Sequence, residues 1–457
     1  MNHTRTPSMA EGSALPRRSF LKASALAAGA ALTKLPFVVT SHAANDDPIR
    51  IGLIGCGGRG TGAVLDALGA ATKVIYPAAG YHTEDVAEGA SLAGRNIEVI
   101  ALADVFPDRI ARCREQLRKL GMRIPDDHCF TGFDGYRQLL AVPEINYVIQ
   151  ATPPHFRPQH TLDAIKAGKH IFIEKPGGVD GPGVRMLMEA GRLAREKNLG
   201  IVAGTQRRHQ LGYVEQMQRI HDGALGDILY AHCYWNGGVI WVIEREPGWS
   251  DMEWQLRNWN YFTWLGGDHI VEQHVHNLDV INWALQAHPL KAYGMGGRQA
   301  REHPIHGHIF DHFATAFEYP NGVMVFSQTR QMAGTEGRVE ENIIGTKGRA
   351  VGSFTQNFIR FNEGRPWRYN KREETNPYQQ EHQDFIASIR AGNPLNEAQA
   401  VAESTLTGIM GRESCYSGQS IEWDQALNAT TRLGPEKYEF GPLPFPAVAK
   451  PGEYRLV

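Results

Sequence analysis

Ile49-Arg50-Ile51-Gly52-Leu53-Ile54-Gly55-Cys56-Gly57-Gly58-Arg59-Gly60 is a short apolar run that ends in a glycine turn and enters a helix-competent segment. Gly55, Gly57 and Gly60 have the G-x-G-x-x-G spacing of a dinucleotide-binding βαβ unit. Gly55 allows a tight turn off the strand, Gly57 lets backbone approach a pyrophosphate, and Gly60 lets the helix pack close to the sheet. The helix start supplies N–H groups and positive potential, so Gly58 and Arg59 join the candidate cofactor-binding residues. An ordinary strand–helix loop can be equally rich in glycine, and the context has to decide.

Upstream, Pro16-Arg17-Arg18-Ser19-Phe20-Leu21-Lys22 precedes a modest apolar stretch from Ala23 to Val39, and Ser41-His42-Ala43 offers small residues for cleavage. Residues 1–43 resemble a twin-arginine export signal, which predicts a periplasmic protein. The apolar stretch is short and broken by Thr33, Lys34 and Pro36, so no stable membrane span is expected. The whole chain has 457 residues, a formal charge of −2 and no long basic run, which argues against a nucleic-acid partner. Its five cysteines are scattered without a CxxC pair, so neither a zinc site nor a disulfide framework is suggested.

Downstream, Ala70 to Arg95 looks like a Gly/Ala-rich insertion. Ile97 to Asp104 then reads as a second strand. A carboxylate at its end, Asp104, can accept hydrogen bonds from both adenosine ribose hydroxyls and repels a 2′-phosphate, which favours NAD over NADP. A helix N-cap is the plainer role for such an aspartate. Tyr147 to Ala151 is a buried-type strand running into Thr152-Pro153-Pro154-His155, where a loop would pass the nicotinamide. His170 to Ile173 is another, ending at Glu174-Lys175-Pro176. Alternating strands and helices over residues 48–205 imply a doubly wound parallel sheet, a Rossmann domain. Residues 206–440 switch to alternating, aromatic-rich strands, which predicts an α+β domain on a large, mostly antiparallel open sheet, with 441–457 as a C-terminal tail. One helix is expected over Ile270 to Leu285.

Gly55 to Gly60, Asp104, Ala151-Thr152-Pro153, Ala167-Gly168-Lys169-His170 and Glu174-Lys175-Pro176 occur in order at fitting distances. With Gln206-Arg207-Arg208, Gly266-Gly267 and the segment bearing Glu272, His276 and Asp279, this resembles the glucose–fructose oxidoreductase / inositol dehydrogenase / MocA family. The resemblance implies a nicotinamide-dependent oxidoreductase acting on a hydroxyl of a sugar, glycoside or cyclitol. It makes Lys175 the active-site lysine and implies a homo-oligomer. The family pattern has an aspartate four residues before the histidine and a glycine two before it. Here Glu272 and His274 stand at those places, which unsettles any direct transfer of substrate preference. On a helix, Glu272 and His276 lie one turn apart, and His276 is the candidate general acid/base, because an unperturbed imidazole titrates near ~6.5. Arg207, Arg208, Trp259, Tyr261, His274 and Asp279 complete the expected substrate side, against a wall of tryptophans. His269, Glu272 and His276 are weighed as metal ligands and set aside, because one helix rarely presents three convergent ligands.

Export raises a difficulty, since a freely exchanging NADH has no evident recycling pool outside the cytoplasm. A tightly held NAD, regenerated in place, is therefore expected. Redox-neutral glycoside cleavage, as in the similar glycoside hydrolase family 109, is the alternative outcome. An inert exported sugar-binding protein is the non-enzymatic one.

Overall fold

The computed structural model describes residues 47–70, 72–76, 81–90, 92 and 96–456. The expected export signal lies outside the described residues. The first sheet is built from β1 (Ile49–Ile54), β4 (Ile97–Asp104), β5 (Cys129–Thr131), β6 (Tyr147–Gln150), β7 (His170–Ile173) and β8 (Ile201–Ala203). Its order is β5-β4-β1-β6-β7-β8 and every pairing is parallel. Helices cover it, so β6 and β8 are buried along their whole length. Between β1 and β4 the expected insertion forms a small hairpin of its own, β2 (Thr72–Tyr76) and β3 (Tyr81–Val86).

The second sheet has nine strands: β9 (Ile228–Gly237), β10 (Lys291–Gly297), β11 (His312–Glu318), β12 (Met324–Gln331), β13 (Arg338–Gly345), β14 (Gly348–Ser353), β15 (Gln356–Phe361), β16 (Trp367–Arg368) and β17 (Ile421–Glu422). The order is β16-β15-β14-β13-β9-β12-β11-β10-β17, antiparallel except where β9 runs parallel to β12. Helices Leu211–His221, Val275–Leu285 and Ala398–Ser417 pack on one face. Strand alternation turns Tyr230, Tyr293, Met295 and Phe326 to the other face, where they are exposed.

The chain does not leave its first half behind. Helix Pro377–Arg390 packs back on helix Gly58–Leu68, with Phe385 against Tyr147, and the Tyr147 hydroxyl is 3.0 Å from His382 Nδ1. Helix Ala398–Ser417 packs on both helix Gly181–Glu196 and β10. Within it the fully buried Arg412 pairs with Glu413 and donates to the Val179 and Gly267 carbonyls.

The helix expected over Ile270 to Leu285 is two helices, His269–Glu272 and Val275–Leu285. At the break the His274 N–H reaches the His269 carbonyl, five residues back, which widens the turn. Tertiary bonds hold it there: His274 Nε2 lies 2.7 Å from Ser327 Oγ, and Asp268 accepts from the His269 and Phe310 N–H groups. The break lies between Glu272 and His276, which therefore belong to two successive helices.

Candidate active site

β1 ends at Gly55, whose φ of +93° suits a residue without Cβ. A Cβ on Gly60 would stand 1.8 Å from the Gly55 carbonyl oxygen, so the helix can only approach the strand this closely with glycine there. A Cβ on Gly57 would meet nothing nearer than Arg109, at 3.9 Å. The backbone of the turn thus faces open space. Gly57 is the N-cap of helix Gly58–Leu68, and no side chain caps that helix. Its first N–H groups are left for another acceptor. Asp104, at the end of β4, accepts the Cys56 N–H at 2.7 Å and the Phe106 N–H at 2.9 Å, and burial raises its pKa. A carboxylate has about four acceptor sites, so these bonds leave room for a diol. The glycine turn and Asp104 line one cleft of about 2310 Å³, and these residues fit a dinucleotide.

Arg59 is turned inward to a different task. Its guanidinium pairs with Glu174 at 2.5 Å and Asp66 at 3.3 Å, tying the glycine turn to the segment that carries Lys175. Thr152, Pro153, His155 and Glu174 all line the cleft. Arg157, which sequence reasoning missed, is buried behind them. It donates from Nε to the Thr152 carbonyl and from Nη1 to the Pro176 carbonyl, each at 2.9 Å. Burial pulls its pKa down to about 10, with Glu174 and Glu272 acting against that. One cation thereby braces both loops at the carboxyl edge of the sheet. No motif marks it; only its place two residues after His155 offered a signal.

Lys175 Nζ donates to Glu272 Oε1 at 2.8 Å and to the Glu272 main-chain oxygen. The two side chains are only 12% and 13% exposed, so water screens the pair little. His276 also lines the cleft, its ring stacked on Trp235 at 5.7 Å, and its buried Nδ1 has no hydrogen-bond partner. Burial, then the charges of Lys175 and Arg207, push its pKa well below the ordinary imidazole value. Both effects favour the neutral ring over the imidazolium. With His276 as the proposed base, protonation removes it, and a depressed pKa moves that event to lower pH. We expect the acid limb of kcat/KM to fall below the ordinary histidine range, near ~6.5. A pH profile with its acid limb above that range would show that His276 is not the group lost.

On the substrate side, Arg207 and Trp259 line the cleft. Arg207 is buried, pairs with Glu341 and stands over Trp235 at 5.8 Å. Burial opposes its charge, and Glu341 together with Tyr213, Tyr378 and Asp279 outweighs that and raises its pKa. Four other expected residues lie outside the cleft lining. Arg208 and Asp279 are spent on each other, with Arg208 Nε 2.9 Å from Asp279 Oδ2, and Ser404 Oγ donating to Asp279 at 2.7 Å. His274 is fully buried beside Ser327, with its pKa pushed by burial down to about 3. Tyr261 is buried and donates to the Ile240 carbonyl at 3.3 Å. His269 faces Thr329 Oγ1 at 3.1 Å, also away from the cleft. Arg432, Lys437 and Tyr438 reach the cleft from the far end of the chain, which no sequence pattern announced.

Two family profiles match the chain. Residues 49–204 match an oxidoreductase family with an NAD-binding Rossmann fold, and residues 213–351 match the GFO/IDH/MocA C-terminal domain. Inositol 2-dehydrogenase of Pseudomonas fluorescens is 27% identical over 187 residues, which is 41% of this chain and 46% of that protein. The chain thus spans about half the length of the curated relatives it matches. Among solved structures, scyllo-inositol dehydrogenase of Lactobacillus casei, with bound NAD(H) and scyllo-inositol, aligns with a TM-score of 0.59 at 20% identity, covering 82% of this chain and 99% of that one. Aldose-aldose oxidoreductase of Caulobacter crescentus aligns with a TM-score of 0.61 at 16% identity, covering 82% and 100%. These likenesses show the fold. The two profiles lie in order on the two sheets and together cover well over half of the chain, which belongs to the Gfo/Idh/MocA family of oxidoreductases.

Proposed function

We propose that the protein is a nicotinamide-dependent oxidoreductase that acts on a secondary hydroxyl of a sugar, glycoside or cyclitol. The observation that carries this reading is the convergence, in one cleft, of the glycine turn, the Lys175–Glu272 pair and a neutral His276. Gly55, Gly57, Gly58 and Asp104 would hold the dinucleotide, with Thr152 and Pro153 beside its nicotinamide end. Nicotinamide supplies the hydride acceptor when bound. The protein's own part is proton handling. His276, whose ring lines the cleft, takes the hydroxyl proton as the C–H bond breaks. Lys175 donates a hydrogen bond to the same oxygen, and Glu272 keeps its ammonium in place. The reverse reduction uses the same groups in the opposite order. Arg157 fixes the two loops so that donor and acceptor stay in register.

The Asp104 carboxylate favours NAD over NADP, although Arg109 and Arg112 line the same cleft. Twin-arginine export to the periplasm, a tightly held cofactor and a homo-oligomer formed through the exposed face of the second sheet belong to the same proposal. The test is to purify the export-processed protein, identify released nicotinamide by mass spectrometry, and screen polyols and chromogenic glycosides. Cofactor reduction by a polyol supports the dehydrogenase. Aglycone release without added NAD points to the redox-neutral route. Neither dinucleotide binding nor turnover would leave only the inert binding protein.

A further inference from the structure

A late segment of the chain returns to line the cleft through Arg432, Lys437 and Tyr438. Beyond helix Trp423–Asn428, residues 429–445 form no helix or strand, yet they are fastened at both ends. At one end the Leu433 N–H donates to Asp180 Oδ2 at 2.8 Å. Gly434, with φ of +100°, lies so close to the ring of His155 and to Trp264 that a Cβ there would stand 2.8 and 2.9 Å from them. At the other end the Leu443 N–H donates to Asp251 Oδ2 at 3.0 Å, the Met252 N–H donates to the Gly441 carbonyl, and Phe445 packs on Trp254 and Phe262. Between these anchors the Tyr438 hydroxyl is 2.8 Å from His155 Nε2, and Phe440 packs on Phe106 at 6.0 Å and Phe133 at 5.5 Å.

The groups it touches mark its path. His155 follows the Thr152-Pro153 loop after β6, Phe106 lies two residues beyond Asp104, and Phe133 lies two beyond β5. All three stand past the carboxyl ends of strands, where a dinucleotide lies in an open α/β sheet. Arg432, Lys437 and Tyr438 line the same cleft as Gly55 to Arg59. Arg432 and Lys437 are both exposed, and no ion pair of either is found among the described residues. Arg432 bonds the Tyr438 hydroxyl, and Lys437 stands between Glu436 and Glu439, so two cations without an ion pair line the cleft in which a diphosphate would lie.

We infer that residues 429–445 form a strap that is itself part of the dinucleotide site, with Arg432 and Lys437 turned to the diphosphate, Phe440 closing the adenine end and Tyr438 the nicotinamide end. The inference rests on the proposed nicotinamide chemistry and goes beyond it: the strap holds the cofactor in, so that dissociation requires the strap to lift. This meets the need of an exported oxidoreductase to keep its cofactor.

The test is NADH release from the full-length protein, followed by nicotinamide fluorescence during a chase with excess NAD. The Arg432→Ala/Lys437→Ala and Tyr438→Phe/Phe440→Ala variants should each release NADH about tenfold faster than the parent, because lost contacts appear mainly in the dissociation rate. Hydrogen exchange of the unaltered protein provides a second measurement should the variants fail to fold: amides of residues 430–443 should exchange more slowly once NADH is added. Parent-like release from folded variants, or exchange in the strap indifferent to NADH, overturns the strap and leaves the oxidoreductase reading standing. Failure of the parent to bind either NADH or NADPH overturns both.

Discussion

Replacing Lys175 by methionine is expected to lower kcat by about 10²–10⁴-fold, with the KM for substrate changed far less. Methionine keeps much of the lysine stem and removes the ammonium. The substituted side chain no longer offers an N–H to the oxygen that carries developing negative charge, and Glu272 loses its 2.8 Å partner. The glycine turn and Asp104 are untouched, so NADH titration by fluorescence should give a near-parental affinity. Arginine is not expected to rescue the variant. Its planar fork cannot occupy the point position of an ammonium wedged between the Glu272 carboxylate and main-chain oxygen. Steady-state kinetics with the best polyol from the screen checks this. Turnover within a few-fold of the parent would remove Lys175 from the chemistry and leave His276 to act alone.

The second large effect concerns stability. Asp279→Ala should lower the unfolding free energy by about 3–5 kcal/mol, the range for breaking a buried ion pair by removing one partner. Asp279 is 1% exposed and takes two bonds from Arg208 Nε, one from Arg208 Nη2 and one from Ser404 Oγ. Alanine removes the direct partner of the partly buried Arg208 guanidinium and leaves only the more remote Glu397 and Glu403 to offset its charge. Folded Asp279→Ala should keep the parental KM, because neither partner lines the cleft. The double variant Arg208→Met/Asp279→Leu should recover part of the loss, since an apolar pair removes the unpaired charge. Urea unfolding checks the first statement and initial-rate kinetics the second. A raised KM with unchanged stability would return Asp279 to the substrate side, where the family resemblance places it.

Much of the architecture was readable from local pattern. The apolar runs of β1, β6, β7 and β8 have the near-continuous hydrophobicity of strands buried on both faces. The glycine turn, Asp104 at a strand end and Lys175 before Pro176 follow each other along one half of the chain, where each strand sets the position of the loop after it. The break at Gln273-His274 was not readable in this way. The segment has helical composition throughout, and the bonds that open it come from Ser327 on β12 and from Phe310 just before β11. Arg208 and Asp279 show the same limit. Their charges and spacing suit a substrate site as well as a salt bridge, and only the packing of helix Val275–Leu285 against helix Ala398–Ser417, which brings Ser404 to Asp279, makes them structural.

Short-range patterning thus settled the parallel sheet and the family and marked the glycine turn and Lys175 as candidates, because each is encoded within one strand–loop–helix unit or in the order of several. Only the tertiary structure decided which polar residues of 206–279 face the cleft and which lie beneath it. It also revealed Arg157 as a brace between two loops and brought residues 432–440 back over the first sheet. Those outcomes depend on contacts between segments far apart in the chain, as between His155 and Tyr438 or Phe106 and Phe440, and a side chain cannot signal a partner that distant by its own neighbourhood.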